Sequence, residues 1–387
     1  MKETMTSRQR VRAAINHEIP DRVPIDLGGN QTGIHKLAYE ALCKHLGISD
    51  SVVIMDAVQQ LAQPCEKVLE RFHVDTRYIR AGAGSDYKGG VVIKQRDGRT
   101  WHDLTDEFGI TWSMPDDQKL YMDISHHPLA NATIRDINDY PFPRGNDPAR
   151  FAGLRERAMM LRKETPYAVV TGISGVVYEI CWYLRGLEQW FMDMLLQPSF
   201  CEALMEQTLK FWLDWFKGFL DEVGDIVDVI MIGDDLAGQS GPLFNPEFYR
   251  KVVKPRHKKL VQYIRSRTNA KIWYHTCGSC MTYIPELIDN GVDILNPVQI
   301  TAKNMDPQEL KNKFGGKIAF WGGGCDSQKT LPFGTSQEVE NDVRHNVEIL
   351  KAGGGYVFNN IHNIQAGVPA ENIVAMFDAA YKFGFYS

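Results

Sequence analysis

Residues 271–280 read KIWYHTCGSC, and they place an imidazole (His275) and a thiol (Cys277) two positions apart. Those groups are two of the commonest protein donors to zinc. In a β-strand, residues two apart project to the same side, so His275 and Cys277 can bite one ion together. Cys325 closes another apolar run, KIAFWGGGC (317–325). One His and two Cys give a three-ligand zinc set with the fourth tetrahedral position open, the arrangement of a catalytic site. Zn2+ is therefore the expected cofactor, held by His275, Cys277 and Cys325. Acidic groups are expected beside it. Asp234 and Asp235 end VDVIMIGDD, and Glu179 lies in GVVYEICWYLRG. These three are the catalytic candidates. Tyr274, Trp321, Asn360 and His362 are expected to contact substrate, and His362 is also a credible extra metal ligand. The plainer reading of each residue competes. A lone Cys is usually a small buried hydrophobe, and a paired carboxylate can simply cap a helix.

The elements that must carry these residues form a rhythm. Strand-like runs occur at 22–29, 74–82, 167–175, 227–235, 271–278, 292–299, 317–325 and 355–363. Amphipathic helical stretches lie between them, including a helical 35–72 and helices rich in Trp, Leu and Phe across 185–222. Apolar strands alternating with helices predict a parallel sheet, and eight such units predict a closed (β/α)8 barrel. An open doubly wound sheet is the competitor. It should carry a G-x-G-x-x-G turn after its first strand, and GGNQTG lacks that spacing. In a barrel, the C-terminal strand ends line one catalytic rim, and that rim is where the candidates fall. Residues 88–132 break the rhythm. Asp97-Gly98 between two strand-like runs signals an antiparallel hairpin, read as an excursion after the second strand. No repeat or linker divides the chain, so 1–387 reads as one domain.

The chain has 387 residues and a net charge of −5. That balance gives no reason to expect nucleic acid as a partner. No apolar run reaches the roughly 18 residues of a membrane span, and the N-terminal segment has no apolar signal region. It reads instead as a short helix capped by Thr6 or Ser7. Seven scattered cysteines fit reduced thiols in a cytoplasm.

Several stretches together, GDDLAGQSGPLFNPEFYRKVVKPRHKKL, YHTCGS, VDILNPVQ, FWGGGCDSQKTLPFGT and GGGYVFNNIHNIQAGVPAENI, resemble the uroporphyrinogen decarboxylase superfamily. The likeness is nearest its methyltransferase branch, which includes methylcobamide:coenzyme M, chloromethane and methyl-donor-side methyltransferases of corrinoid systems. It implies a (β/α)8 barrel and a corrinoid carried by a partner protein. The metal-free decarboxylases grip substrate carboxylates with arginines at the first strand end. Here the matching place, DLGGNQTGI, has no Arg or Lys from Gly28 to His35. A polycarboxylate would keep unpaired charges there. The methyltransferase branch carries H-x-C and a distal Cys on zinc, and His275-Thr276-Cys277 matches the first part. At the place of the distal Cys this chain has His362, so the resemblance leaves the third ligand as Cys325 or His362. Cys325 is preferred for its soft thiolate.

The resulting expectation is a zinc-dependent methyltransferase that moves a methyl group between a small substrate, preferably an aryl or alkyl methyl ether, and a corrinoid protein. The rivals are a decarboxylase-type lyase, a methylcobamide:thiol methyltransferase and a non-catalytic partner-binding barrel.

Overall fold

The computed structural model describes residues 2–386. Seven parallel strands form one sheet, with chain-order neighbours hydrogen-bonded throughout: Thr76–Tyr78, Ala168–Gly172, Val229–Gly233, Lys271–His275, Ile294–Asn296, Ala319–Trp321 and Tyr356–Val357. The eighth member is the predicted first strand. It is reduced to Ile25, which makes parallel bridges to Val74 on one side and Phe358 on the other and so closes the ring. The reason is local. Pro24 has no N–H to donate, and the Ile25 N–H goes to the Asp75 carboxylate at 2.8 Å. The protein is thus a (β/α)8 barrel of the TIM type.

Alternation along each strand separates two cores. Val170, Val229, Met231, Trp273, Ile294, Ala319, Trp321 and Val357 fill the barrel, and Val11, Ala14 and Ile15 of the helix Ser7–Ile15 cover its floor. Thr6 caps that helix through a reciprocal pair with Gln9. The other strand face packs under the helices, in a larger cluster that includes Ile230, Ile232, Tyr274 and Phe320. Trp273 and Trp321 stack at the centre of the barrel with ring centroids 4.6 Å apart.

Two local expectations change. The helical 35–72 is two helices, Lys36–Leu46 and Glu66–Arg71. Between and before them a small antiparallel sheet joins Ile34–His35, Ile54–Asp56 and Leu61–Ala62. The β-branched run SVVIMD and Pro64 work against one continuous helix. The expected hairpin is part of a four-stranded antiparallel sheet, Val92–Arg96, Arg99–Thr105, Thr111–Pro115 and Asp123–His126. Its first turn is as read: Asp97 and Gly98 both have positive φ, +50° and +72°, as a type I′ turn needs. The sheet departs after the second barrel strand and returns over the barrel mouth, where the Met122 N–H donates to the Val58 carbonyl at 2.8 Å. No helix is long and apolar enough to cross a membrane among the described residues.

Trp273→Ala should leave a cavity inside the barrel and lower unfolding stability by about 3–5 kcal/mol. Urea unfolding followed by circular dichroism measures it. A loss below ~1 kcal/mol would mean that the barrel interior is not the packed core described here.

Candidate metal centre

The Lys271–His275 strand alternates Trp273 inward, Tyr274 outward and His275 inward. His275 therefore reaches the C-terminal mouth above the stacked indoles. Its Nδ1 lies 2.6 Å from the Asn296 Oδ1, and the Asn296 Nδ2 donates to the Trp321 carbonyl at 2.8 Å. This chain fixes a tautomer. The Trp321 carbonyl can only accept, so it takes the amide N–H. The amide oxygen then faces His275, and Nδ1 must carry the proton. The Nε2 lone pair is left free.

Nε2 points toward Cys277, whose Sγ is 3.5 Å away. Gly278, at φ +80°, turns the chain immediately afterwards; a Cβ there would lie 2.5 Å from the Gly238 carbonyl. The third member is His362, after the Tyr356–Val357 strand. One ligand atom from each of His275, Cys277 and His362 lies within 4.8 Å of the others, and the two imidazoles meet edge to face at 5.4 Å between centroids. With zinc–nitrogen and zinc–sulfur bonds of about 2.0 and 2.3 Å, two tetrahedral donors sit roughly 3.5 Å apart. The His275–Cys277 separation has that value, so the donor set fits zinc.

The electrostatics point the same way. Burial pushes the His275 imidazole down to about 4. Burial, with His275 beside it, does the same to His362, also to about 4. Both rings are neutral donors at pH 7. Burial, then the Asp235 and Glu179 carboxylates, pushes the Cys277 thiol well above its ordinary value. A divalent cation reverses that balance by stabilising the thiolate.

The acids divide. Asp235 accepts the Cys277 N–H at 2.7 Å, and its Oδ1 lies 4.0 Å from the His275 Nε2. Glu179 accepts the Asp235 N–H at 3.2 Å and a hydrogen bond from the Tyr183 hydroxyl. Burial first, then Asp235 and Asp234, holds Glu179 well above the usual carboxylate range. Asp234 does something else. It is 0% exposed. It accepts the Val177 and Glu179 N–H groups at 3.1 and 2.8 Å and pairs with the His257 Nε2 at 2.7 Å. It caps the helix Glu179–Arg185 from the outer side of the barrel wall.

Three expected site residues, Cys325, Tyr274 and Trp321, have side chains outside the cluster. Cys325 is buried behind its strand, and the acids nearest its thiol are Asp342 and Asp326. The three glycines before it redirect the chain: Gly322 and Gly323 have φ of +114° and +73°, so simple alternation fails. Tyr274 faces outward, its hydroxyl 3.3 Å from the His257 Nδ1. Trp321 is sealed inside the barrel, donating from Nε1 to Asp26 at 2.9 Å; it serves the site through its backbone carbonyl. Asn360 is buried, and neither atom of its amide has a partner. Other contributors carry little signal in the sequence. Asn296 is marked only by its place in the VDILNPVQ run. Tyr121, from the inserted sheet, accepts a hydrogen bond from Gln365 at 2.9 Å, and burial pushes its hydroxyl above the ordinary value. Nothing in its local sequence marks it, because its approach depends on how the insertion folds back.

The Uroporphyrinogen decarboxylase (URO-D) family model matches residues 104–383. Among solved structures, a methyltransferase from Methanosarcina mazei superposes with a TM-score of 0.63 at 19% identity, covering 98% of this chain and 99% of that one. A β-glycosidase from Thermosphaera aggregans reaches a TM-score of 0.44 at 8% identity, covering 95% of this chain and 98% of its own. No curated protein matches.

Replacing Asn296 by Leu should release the His275 tautomer and weaken zinc binding by about 10–100-fold, as loss of a ligand-orienting partner usually does. His362→Gln should weaken it at least as much, and Cys325→Ser should leave it within about twofold, by competition titration against a zinc chelator. If Cys325→Ser releases the metal while His362→Gln retains it, the ligand set is wrong.

Proposed function

This chain belongs to the uroporphyrinogen decarboxylase family, and from that premise we propose that it is a methyltransferase working between a small methyl ether and a corrinoid carried by a partner protein. The observation that supports this most is the His275–Cys277–His362 cluster within 4.8 Å. Decarboxylation in this family needs no metal, whereas a soft three-donor set with an open position suits an ion that meets substrate. Zinc held by His275, Cys277 and His362 would supply Lewis acidity to the oxygen that leaves when the methyl departs.

The chain's own groups do the rest. Asn296 holds His275 with its Nε2 lone pair outward. Asp235 orients the Cys277 backbone and gives the centre a nearby negative charge. Glu179, held well above the usual carboxylate range by burial and its acidic neighbours, is the proton donor. In the transfer, the carbon–oxygen bond of the ether breaks and its electron pair stays on oxygen. That oxygen takes the Glu179 proton, and the methyl passes to the reduced corrinoid carrier. A leaving alkoxide or phenoxide is a poor leaving group without such help. Tyr183 donates to the Glu179 carboxyl and fixes its orientation. Asp234 acts through position alone, by holding the start of the helix that carries Glu179.

The test is spectroscopic. Mixed with a cob(I)amide carrier protein and a panel of aryl and alkyl methyl ethers, the zinc-loaded protein should change the carrier's visible spectrum as the methyl arrives. Glu179→Gln should slow this by about 10²–10⁴-fold, the usual worth of a general acid, with zinc content unchanged. Decarboxylation of uroporphyrinogen together with no methyl transfer across the panel would overturn the proposal.

A further inference from the structure

A cavity of about 340 Å³ opens beside Tyr183, whose hydroxyl bonds Glu179; its volume is at the lower end of the range for small-molecule sites. It lies over the first three strand ends, between them and the inserted sheet. Its walls are aromatic, with Phe108 and Trp112 from the insertion and Tyr183, Phe211 and Trp212 from the helices. Trp212 is 4% exposed, and its buried Nε1 has no hydrogen-bond partner.

One cation lining this cavity is uncommitted. Arg150 is paired with Glu107. Asp106 is occupied by the Trp112 Nε1 at 3.0 Å and the Phe108 and Ile110 N–H groups. Arg80 is different. Its Nε donates to the Asn30 Oδ1 at 3.2 Å and its Nη2 to the Gly28 carbonyl at 2.6 Å. Its guanidinium also lies over the Tyr78 ring, 5.6 Å from the centroid. All these partners are neutral. Among the described residues, no carboxylate stands within 4.0 Å of the guanidinium, and its Nη1 makes no hydrogen bond. Burial lowers the Arg80 pKa, yet an arginine stays charged. The guanidinium is half-buried, and Asp56 acts on it only from beyond ion-pair distance, so a ligand's carboxylate would be its one directly paired anion. A planar fork beside aromatic walls suits a planar anion on an aromatic ring.

We infer that Arg80 recognises the carboxylate of an aromatic substrate whose ring fills this cavity. The inference rests on the methyl-ether reading above and names the part of that substrate remote from the ether. Arg80 is a specificity residue here, and it takes no part in bond breaking.

The test is binding, which needs neither corrinoid nor methyl transfer. Isothermal titration of the purified protein with benzoate, benzyl alcohol and 2-mercaptoethanesulfonate separates charge from ring. Benzoate should bind at least tenfold more tightly than either other probe. Arg80→Leu should abolish the preference over benzyl alcohol and leave benzyl alcohol binding within about twofold. Arg80→Lys should retain part of the preference. Trp212→Leu should weaken benzoate and benzyl alcohol by the same factor, which keeps the cavity testable if Arg80→Leu fails to fold. Equal binding of benzoate and benzyl alcohol by the unaltered protein overturns the inference. So does a preference that survives in Arg80→Leu, or tighter binding of the thiol sulfonate. A protein that shows the predicted preference but transfers no methyl would refute the reaction and leave this site standing.

Discussion

The hydrogen bond from the His275 Nδ1 to the Asn296 Oδ1, with the amide pinned by the Trp321 carbonyl, is the constraint on which the candidate metal centre depends. It ties three neighbouring strand ends into one orientation and leaves a single ring nitrogen available. Without it His275 is a buried imidazole with two possible tautomers. With it, the lone pair has one direction, and the Cys277 sulfur sits at the distance a shared tetrahedral ion requires. Parallel register makes this possible: Gly233, His275 and Asn296 stand opposite one another across three strands, so residues distant in sequence arrive at one level of the barrel.

The same geometry explains why Asp234 and Asp235, adjacent in sequence, have separate tasks. Alternation sends Asp234 outward, where a helix start and His257 satisfy it fully. Asp235 turns into the mouth beside Cys277 and Glu179. There it shares a poorly solvated space with a second carboxyl. Two acids so placed resist ionising together, and burial raises the pKa of Glu179 well above the usual carboxylate range. Asp234 supports this at a distance: its bond to the Glu179 N–H fixes the start of the helix that carries that carboxyl.

Much of the barrel was legible because its signals are local. All eight predicted runs occupy the expected places around the ring, including the first, which survives only as Ile25. His275 and Cys277 were legible for the same reason, since both belong to one strand and its turn. Cys325 was not. Strand alternation does not carry through three glycines, two of which take positive φ and turn the thiol to the outer side of the wall. Tyr274 failed by parity: its neighbours point inward, so it must point outward. Trp321 has the right parity but sits a layer too deep, filling the barrel below the mouth. Tyr121 and Arg80 carry no motif at all. Their place follows from tertiary contacts, one from an inserted sheet folding back and the other from a second-strand side chain leaning across to the first.

That last contact bears on the choice between lyase and transferase. The segment Gly28 to His35 has no cation of its own, and Arg80 reaches it, donating to the Gly28 carbonyl. One guanidinium therefore stands at the first strand end after all. It is single, bound on one edge to neutral groups, and faced by aromatic walls. A tetrapyrrole with many carboxylates would need several such cations, each desolvated and each paired. Among the lining arginines, Arg150 is already neutralised by Glu107. This cavity thus has one cation without an ion-pair partner, with aromatic surface around it. That economy fits a small planar acid beside a metal centre, and it leaves most of a polycarboxylate ring without partners.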